Sequence, residues 1–166
     1  MDNDGKPCKV GEAGEFWVKG WAVMDSYWND EAATQDSITE DGWMKSGDLG
    51  VLDESGYLSI VGRKKDMIIR GGENIYPKEI EEFIAKMEGI VDVQVVSIPD
   101  EKYGEEVVAV IKVQDLAKNS ITREDVFRYC KDKIAFYKIP KFIKFVSDYP
   151  LTVSGKVQKF VMRGEL

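Results

Sequence analysis

The sequence predicts an α+β fold: a small C-terminal domain over residues 65–166, with a short, mainly antiparallel sheet flanked by helices, preceded over residues 1–64 by β-strands that read as the edge of something larger. Charge is the first observation behind this. Residues 1–62 hold 4 Lys and no Arg against 13 acids, leaving 19 basic and 17 acidic residues for 63–166, so the two parts carry about −9 and +2, an asymmetry that marks two structural units. Patterning is the second. Short alternating runs broken by Gly and Asp fill the first part, whereas the second interleaves segments of helical period with runs rich in Val and Ile.

In the first part, GEFWVKG alternates apolar and polar residues between glycines, and GYLSIVG does so again after the turn DESG. Two or three such strands bury little apolar surface by themselves, so the segment implies a missing partner domain. From Arg63 the pattern changes. YPKEIEEFIAKMEG has Pro near a helix start, Ile80, Phe83, Ile84 and Met87 at helical spacing, and Gly89 as a stop. VDVQVVSIPD and EVVAVIKVQD read as strands. SITREDVFRYCKDKI offers Thr122 as N-cap with Asp125 three residues on, and sets Val126, Tyr129 and Ile134 toward one face. KFIKFVSDYP then reads as a strand and KVQKFVMRGEL as a last helix.

Composition excludes several chemistries. There is no histidine, which rules out Ser-His-Asp and Cys-His catalysis and any His-ligated metal. Cys8 and Cys130 lie far apart with no CxxC, leaving neither a disulfide framework nor a zinc site. No apolar run approaches the roughly 20 residues that cross a bilayer, and the acidic start MDNDGKP lacks the layout of a secretory signal, so the expectation is a cytoplasmic protein without a transmembrane segment. A sequence pI near 4.8 makes nucleic acid a poor partner.

Four stretches stand out: GWMKSGDLG (42–50), VGRKKDMIIRGGENIYPKEIE (61–81), VSIPDEKYGEEVVAVI (96–111) and YPLTVSGKVQK (149–159). Each has a plain alternative. Asp48 suits a turn, Gly71-Gly72 suits a hairpin, and Arg63, Lys64 and Lys65 suit a solvated basic cluster. Lys156 is not part of a phosphate-wrapping Walker loop, because Pro150 stands where that loop needs Gly and Val157 stands where it needs Ser or Thr.

Taken in order and spacing, these stretches resemble the AMP-forming adenylating enzymes, including acyl- and aryl-CoA synthetases. The resemblance covers essentially the whole chain, with GEFWVKGWAVMDSYWND carrying Ser26 where the family usually has Gly, and KIPKFIKFVSDYPLTVSGKVQKF resembling the medium-chain acyl-CoA synthetase branch. It implies a carboxylic acid, ATP and CoA as substrates, with Mg2+ for the parent enzyme but no ligand to it in this chain.

Further implications fall on single residues. Lys156 would be the catalytic lysine that bridges the acid's carboxylate and the α-phosphate. Asp48, Arg63 and Ile60 would bind ATP and AMP, with Asp48 accepting the ribose hydroxyls. Lys65 would be the hinge between the large adenylating domain, whose C-terminal edge is residues 1–64, and a mobile domain over 65–166. Gly71, Gly72 and Glu73 would line the CoA approach. The family's phosphate loop and acyl tunnel do not occur in the sequence, so the chain reads as a C-terminal portion, inactive alone, whose partner is the missing N-terminal domain. Two alternatives stay open: an aryl-acid ligase, and a truncated binding module that self-associates through exposed strands. From Arg128 to Arg163 the chain has nine basic residues against Asp132 and Asp148, a surface suited either to CoA or ATP phosphates or simply to solvent.

Overall fold

Alternation at GEFWVKG and GYLSIVG becomes strands β1 (Ala13–Val18) and β3 (Leu58–Arg63) in the computed structural model, which describes residues 1–115 and 120–166. Between them lie helix α1 (Glu31–Ser37) and strand β2 (Met44–Leu52). The sheet order is β1-β2-β3, antiparallel throughout. Helix α1 escapes sequence patterning because none of its residues is buried; Asp30 caps it, accepting from the Ala33 amide at 2.9 Å. Leu49 is the one buried apolar side chain of this part among the described residues, which is why three strands were not enough to announce a core. These elements form a compact unit, Met1–Lys65, and Asp66–Leu166 forms a second. A single 3-10 turn, Lys64–Asp66, joins them along the chain.

In the second unit, strands β4 (Ile68–Arg70), β5 (Glu73–Ile75), β6 (Ile90–Asp100), β7 (Gly104–Val113) and β8 (Phe142–Val146) form one sheet in the order β5-β4-β7-β6, with β8 running parallel to β7. Alternate residues of β7 serve two cores. Val107, Ala109, Ile111 and Val113 pack with Ile80 and Ile84 of helix α2 (Pro77–Ile84) and Val126 and Cys130 of helix α3 (Arg123–Cys130). Val108 and Val110 pack on the opposite face with Tyr149 and with Met162 of helix α4 (Lys159–Gly164). A strand buried on both faces has an unbroken apolar run, as this one does.

Helix boundaries differ from the sequence reading in two places. Helix α2 ends at Ile84 instead of continuing to Gly89, because Lys86 and Met87 donate to Phe83 and Ile84, three residues back, and this tighter turn swings the chain into β6. Helix α3 stops at Cys130, so Ile134 lies beyond it, although it still packs on the same core. The expected cap is present: Thr122 Oγ1 accepts from the Asp125 amide at 3.2 Å, and the Asp125 carboxylate accepts from the Thr122 amide at 3.0 Å.

Candidate functional site

Asp48 and Arg63 are direct register partners across β2 and β3, and Arg63 Nε lies 2.7 Å from Asp48 Oδ1. Fifteen residues apart in sequence, they become neighbours because an antiparallel hairpin folds the chain back on itself. Ile60 is exposed two pairs further along β3, facing Gly50 across a register shift. On β1, paired across from Leu49, sits Glu15, a buried carboxylate that accepts from the Gly47 amide at 3.2 Å and from Lys64 Nζ at 3.0 Å. Burial pushes the Glu15 carboxyl upward, but the nearby Trp17 indole N–H, the Lys64 ammonium and the Gly47 amide together outweigh it and hold the group below its ordinary value. Glu15 therefore ties the residues preceding Asp48 and following Arg63 to β1. The sequence reading took Glu15 only as a strand residue; its one signal was an acid among apolar neighbours.

Lys65 is exposed in the 3-10 turn. Gly71 and Gly72 form the two-residue loop of the β4–β5 hairpin, flanked by the register pair Arg70 and Glu73. Both have positive φ, +59° and +89°, the geometry of a type I′ turn, so the hairpin requirement alone accounts for glycine at both positions. At Gly71 a Cβ would also approach Tyr103 Cδ1 to 3.2 Å, while at Gly72 it would meet nothing within 4 Å. Glu73 is exposed beside them.

Lys156 stands on a turn of its own. Leu151 and Val157 bridge antiparallel, the Thr152 amide donates to the Lys156 carbonyl at 2.8 Å, and the Lys156 amide donates to Thr152 Oγ1 at 3.0 Å. Gly155 takes φ +80°, which lets the chain reverse within Val153–Gly155. Both ends of the turn are anchored. On the entry side, Tyr149 is buried and its hydroxyl donates to the Val110 carbonyl of β7 at 3.1 Å; on the exit side, Lys159 Nζ reaches Glu81 Oε1 of α2 at 2.6 Å. Among the described residues the Lys156 ammonium has no ion-pair partner, and the residue is exposed. Thr152, four residues before Lys156, is the local sequence signal for this hydroxyl-stabilised turn.

The structure thus pairs Asp48 with Arg63 in the first unit, and in the second places Gly71–Glu73 and Lys156 on separate turns. It also changes the account of the basic stretch 128–163. Lys138, Lys141, Lys159 and Arg163 pair with Glu79, Asp100, Glu81 and Asp66, acids drawn from earlier in the chain, so the local excess of charge is largely neutralised in the fold. Among the described residues there is no group of three or more His, Cys, Asp or Glu side chains that could hold a metal ion. Among the same residues, no helix is long and apolar enough to cross a membrane.

Comparison with known proteins gives a consistent result. Residues 79–156 match the family model for the AMP-binding enzyme C-terminal domain. A Bacillus subtilis protein provisionally named an acyl-CoA synthetase is 51% identical over 92% of the chain, which corresponds to 28% of that protein. The mitochondrial medium-chain acyl-CoA ligase of Danio rerio is 48% identical over 96% of the chain and 26% of its own length. Among solved structures, ATP-bound MatB from Rhodopseudomonas palustris superposes with a TM-score of 0.91 at 39% identity, over 99% of this chain and 32% of that one. The chain therefore spans little more than a quarter of the length of the curated relatives it matches.

Proposed function

The chain carries, at residues 79–156, the C-terminal domain of the AMP-binding, adenylate-forming enzymes, and on that premise we propose that it supplies the C-terminal share of an ATP-dependent acid-CoA ligase acting on a medium-chain fatty acid. In the first step the acid's carboxylate attacks the α-phosphorus of ATP, giving acyl-adenylate and releasing pyrophosphate. In the second, the CoA thiolate attacks the acyl carbonyl and AMP leaves.

The observation that carries this reading is Lys156: an exposed ammonium without an ion-pair partner among the described residues, on a hydrogen-bonded turn anchored to the core at both ends. A cation held this way needs little reorganisation to meet the negative charge that gathers when carboxylate and α-phosphate react. Asp48 accepts the ribose hydroxyls in this scheme; Arg63 fixes it by one oxygen, so the carboxylate meets the nucleotide with its orientation already set. Ile60 lies on the same strand as Arg63 and contributes apolar surface to the nucleotide. Lys65, the last residue of the first unit, is the proposed pivot between steps. Gly71, Gly72 and Glu73 form the turn that CoA passes during thioester formation. Support for an aliphatic acid is the 48% identity to a relative named a medium-chain acyl-CoA ligase.

Half-reactions test the assignment. In a full-length enzyme carrying this segment, Lys156→Ala should lower ATP–pyrophosphate exchange by roughly 10²–10³-fold, the loss typical of one preorganised donor, with ATP affinity nearly kept. Equal loss of exchange rate and ATP affinity would show a ground-state binder and overturn the role. The isolated chain should show no exchange, and measurable exchange by the pure chain would overturn that part of the proposal. Trp21 and Trp28, 99% and 90% exposed on the first unit, are the surface we assign to the remainder of the enzyme, and self-association in its absence is assigned to the exposed edges of the strands. Light scattering that finds only monomer would remove the self-association.

A further inference from the structure

Glu106 is the most deeply buried charged side chain among the described residues, 1% exposed on the central strand β7. Its carboxylate accepts a bidentate pair from Arg70, Nε to Oε1 at 2.6 Å and a terminal nitrogen to Oε2 at 3.1 Å, and Lys141 Nζ approaches Oε2 at 3.4 Å. Arg70 immediately precedes Gly71. Its guanidinium also lies over the Tyr103 ring at 4.3 Å, and the Tyr103 carbonyl accepts from the Gly71 amide at 2.9 Å. Tyr103 is itself held, because Asp100 Oδ1 accepts from the Tyr103 amide at 2.9 Å while Asp100 Oδ2 takes Lys141 at 3.1 Å. The β6–β7 turn therefore grips the β4–β5 turn through a ring of four charged side chains closed by Tyr103.

Stability does not explain such a ring. A buried ion pair roughly breaks even against apolar residues of the same volume, and Val or Ile would fill this position as they fill the rest of the strand. What the bidentate fork supplies is direction, since it fixes the Arg70 backbone and the first glycine after it. We infer that the Arg70–Glu106 pair, closed by Lys141, Asp100 and Tyr103, is a positioning device for the Gly71–Gly72–Glu73 turn in the thioester-forming step. The inference rests on the proposed role of that turn toward CoA and adds the residues that set it.

Two measurements separate this inference from the reading beneath it. In the chain as described, Glu106→Gln should speed amide exchange at Gly71 and Gly72 by roughly tenfold while the α2 and β6 amides keep their protection. In a full-length enzyme, the same substitution should slow thioester formation from preformed acyl-adenylate by roughly 10²-fold, the scale of an ångström's misplacement, and leave ATP–pyrophosphate exchange intact. Arg70→Lys, which keeps the charge but loses the fork, should give a smaller loss in the same half-reaction and serves if Glu106→Gln fails to fold. Unchanged exchange at Gly71 and Gly72 overturns the positioning. A loosened turn with an unchanged thioester step overturns the link to CoA and locates the failure in the functional reading. Equal losses in both half-reactions overturn it too, because they indicate a general structural role.

Discussion

Replacing Glu81 by Gln removes one negative charge from the point where α2, β6 and α4 meet. The Glu81 Oε1 atom accepts from Lys159 Nζ at 2.6 Å and from the Val95 amide at 2.8 Å, and Lys159 also donates to the Val95 carbonyl at 3.2 Å. Both side chains are 17% exposed, so solvent screens the pair little. Gln keeps an oxygen where both donors converge but leaves the Lys159 ammonium without a counter-charge. Hydrogen bonds to charged groups are worth about 1.5–3 kcal/mol and an uncompensated buried ion costs more, so the expected destabilisation is about 2–3 kcal/mol.

With a urea m-value of about 2 kcal/mol/M, that is a fall of about 1–1.5 M in the unfolding midpoint. Far-UV circular dichroism reads it. Indole emission does not, because all four tryptophans, Trp17, Trp21, Trp28 and Trp43, lie in the first unit. A cycle with Lys159→Met should return a coupling of about 1–2 kcal/mol. A midpoint shift under about 0.2 M, or zero coupling, would refute the argument and show α4 to be held by Met162 and its apolar contacts alone.

Three further outcomes are expected. Cys130 is fully buried and burial pushes its thiol up to about 11, so at pH 8 a thiol reagent should label only the half-buried Cys8 until the chain is denatured. For Glu106, burial pushes the carboxyl up, but Arg70, the Val107 amide and Lys141 reverse this and hold it below its ordinary 4.5. Its contribution to stability is therefore full above that value and lost as pH falls through the lower folded value, so acid unfolding monitored by circular dichroism should be less steep in Glu106→Gln than in wild type. Asp48→Asn, which keeps shape but drops the charge facing Arg63, should raise the Kd for AMP in a full-length enzyme by roughly tenfold or more, measured by calorimetry; an unchanged Kd would remove Asp48 from the nucleotide site.

By itself the sequence determined what depends on local rules. Thr122 and Asp125 had to cap a helix, because their side chains reach amides only two or three residues away. Gly71-Gly72 had to turn, because the positive φ of a two-residue hairpin excludes other residues at low cost. Val107–Val113 had to be a buried strand. Lys156 was legible as a candidate from its motif, and its exclusion from a phosphate-wrapping loop followed from Pro150 and Val157.

What the sequence left undetermined are contacts between residues far apart in the chain. Glu15 with Lys64, Glu106 with Arg70, and Glu81 with Lys159 are separated by 49, 36 and 78 positions, and no local pattern names the partner of any of these acids. The basic run 128–163 is the clearest instance. Its charge is plain in sequence, but the acids that neutralise it come from 66 to 106, and only the packing of α2, β6 and α4 on the sheet brings them within reach. Pairing energy falls off within a few ångströms in a screened medium, so it is the tertiary fold that decides which charges hold the structure together and which, like Lys156 among the described residues, stay without an ion-pair partner.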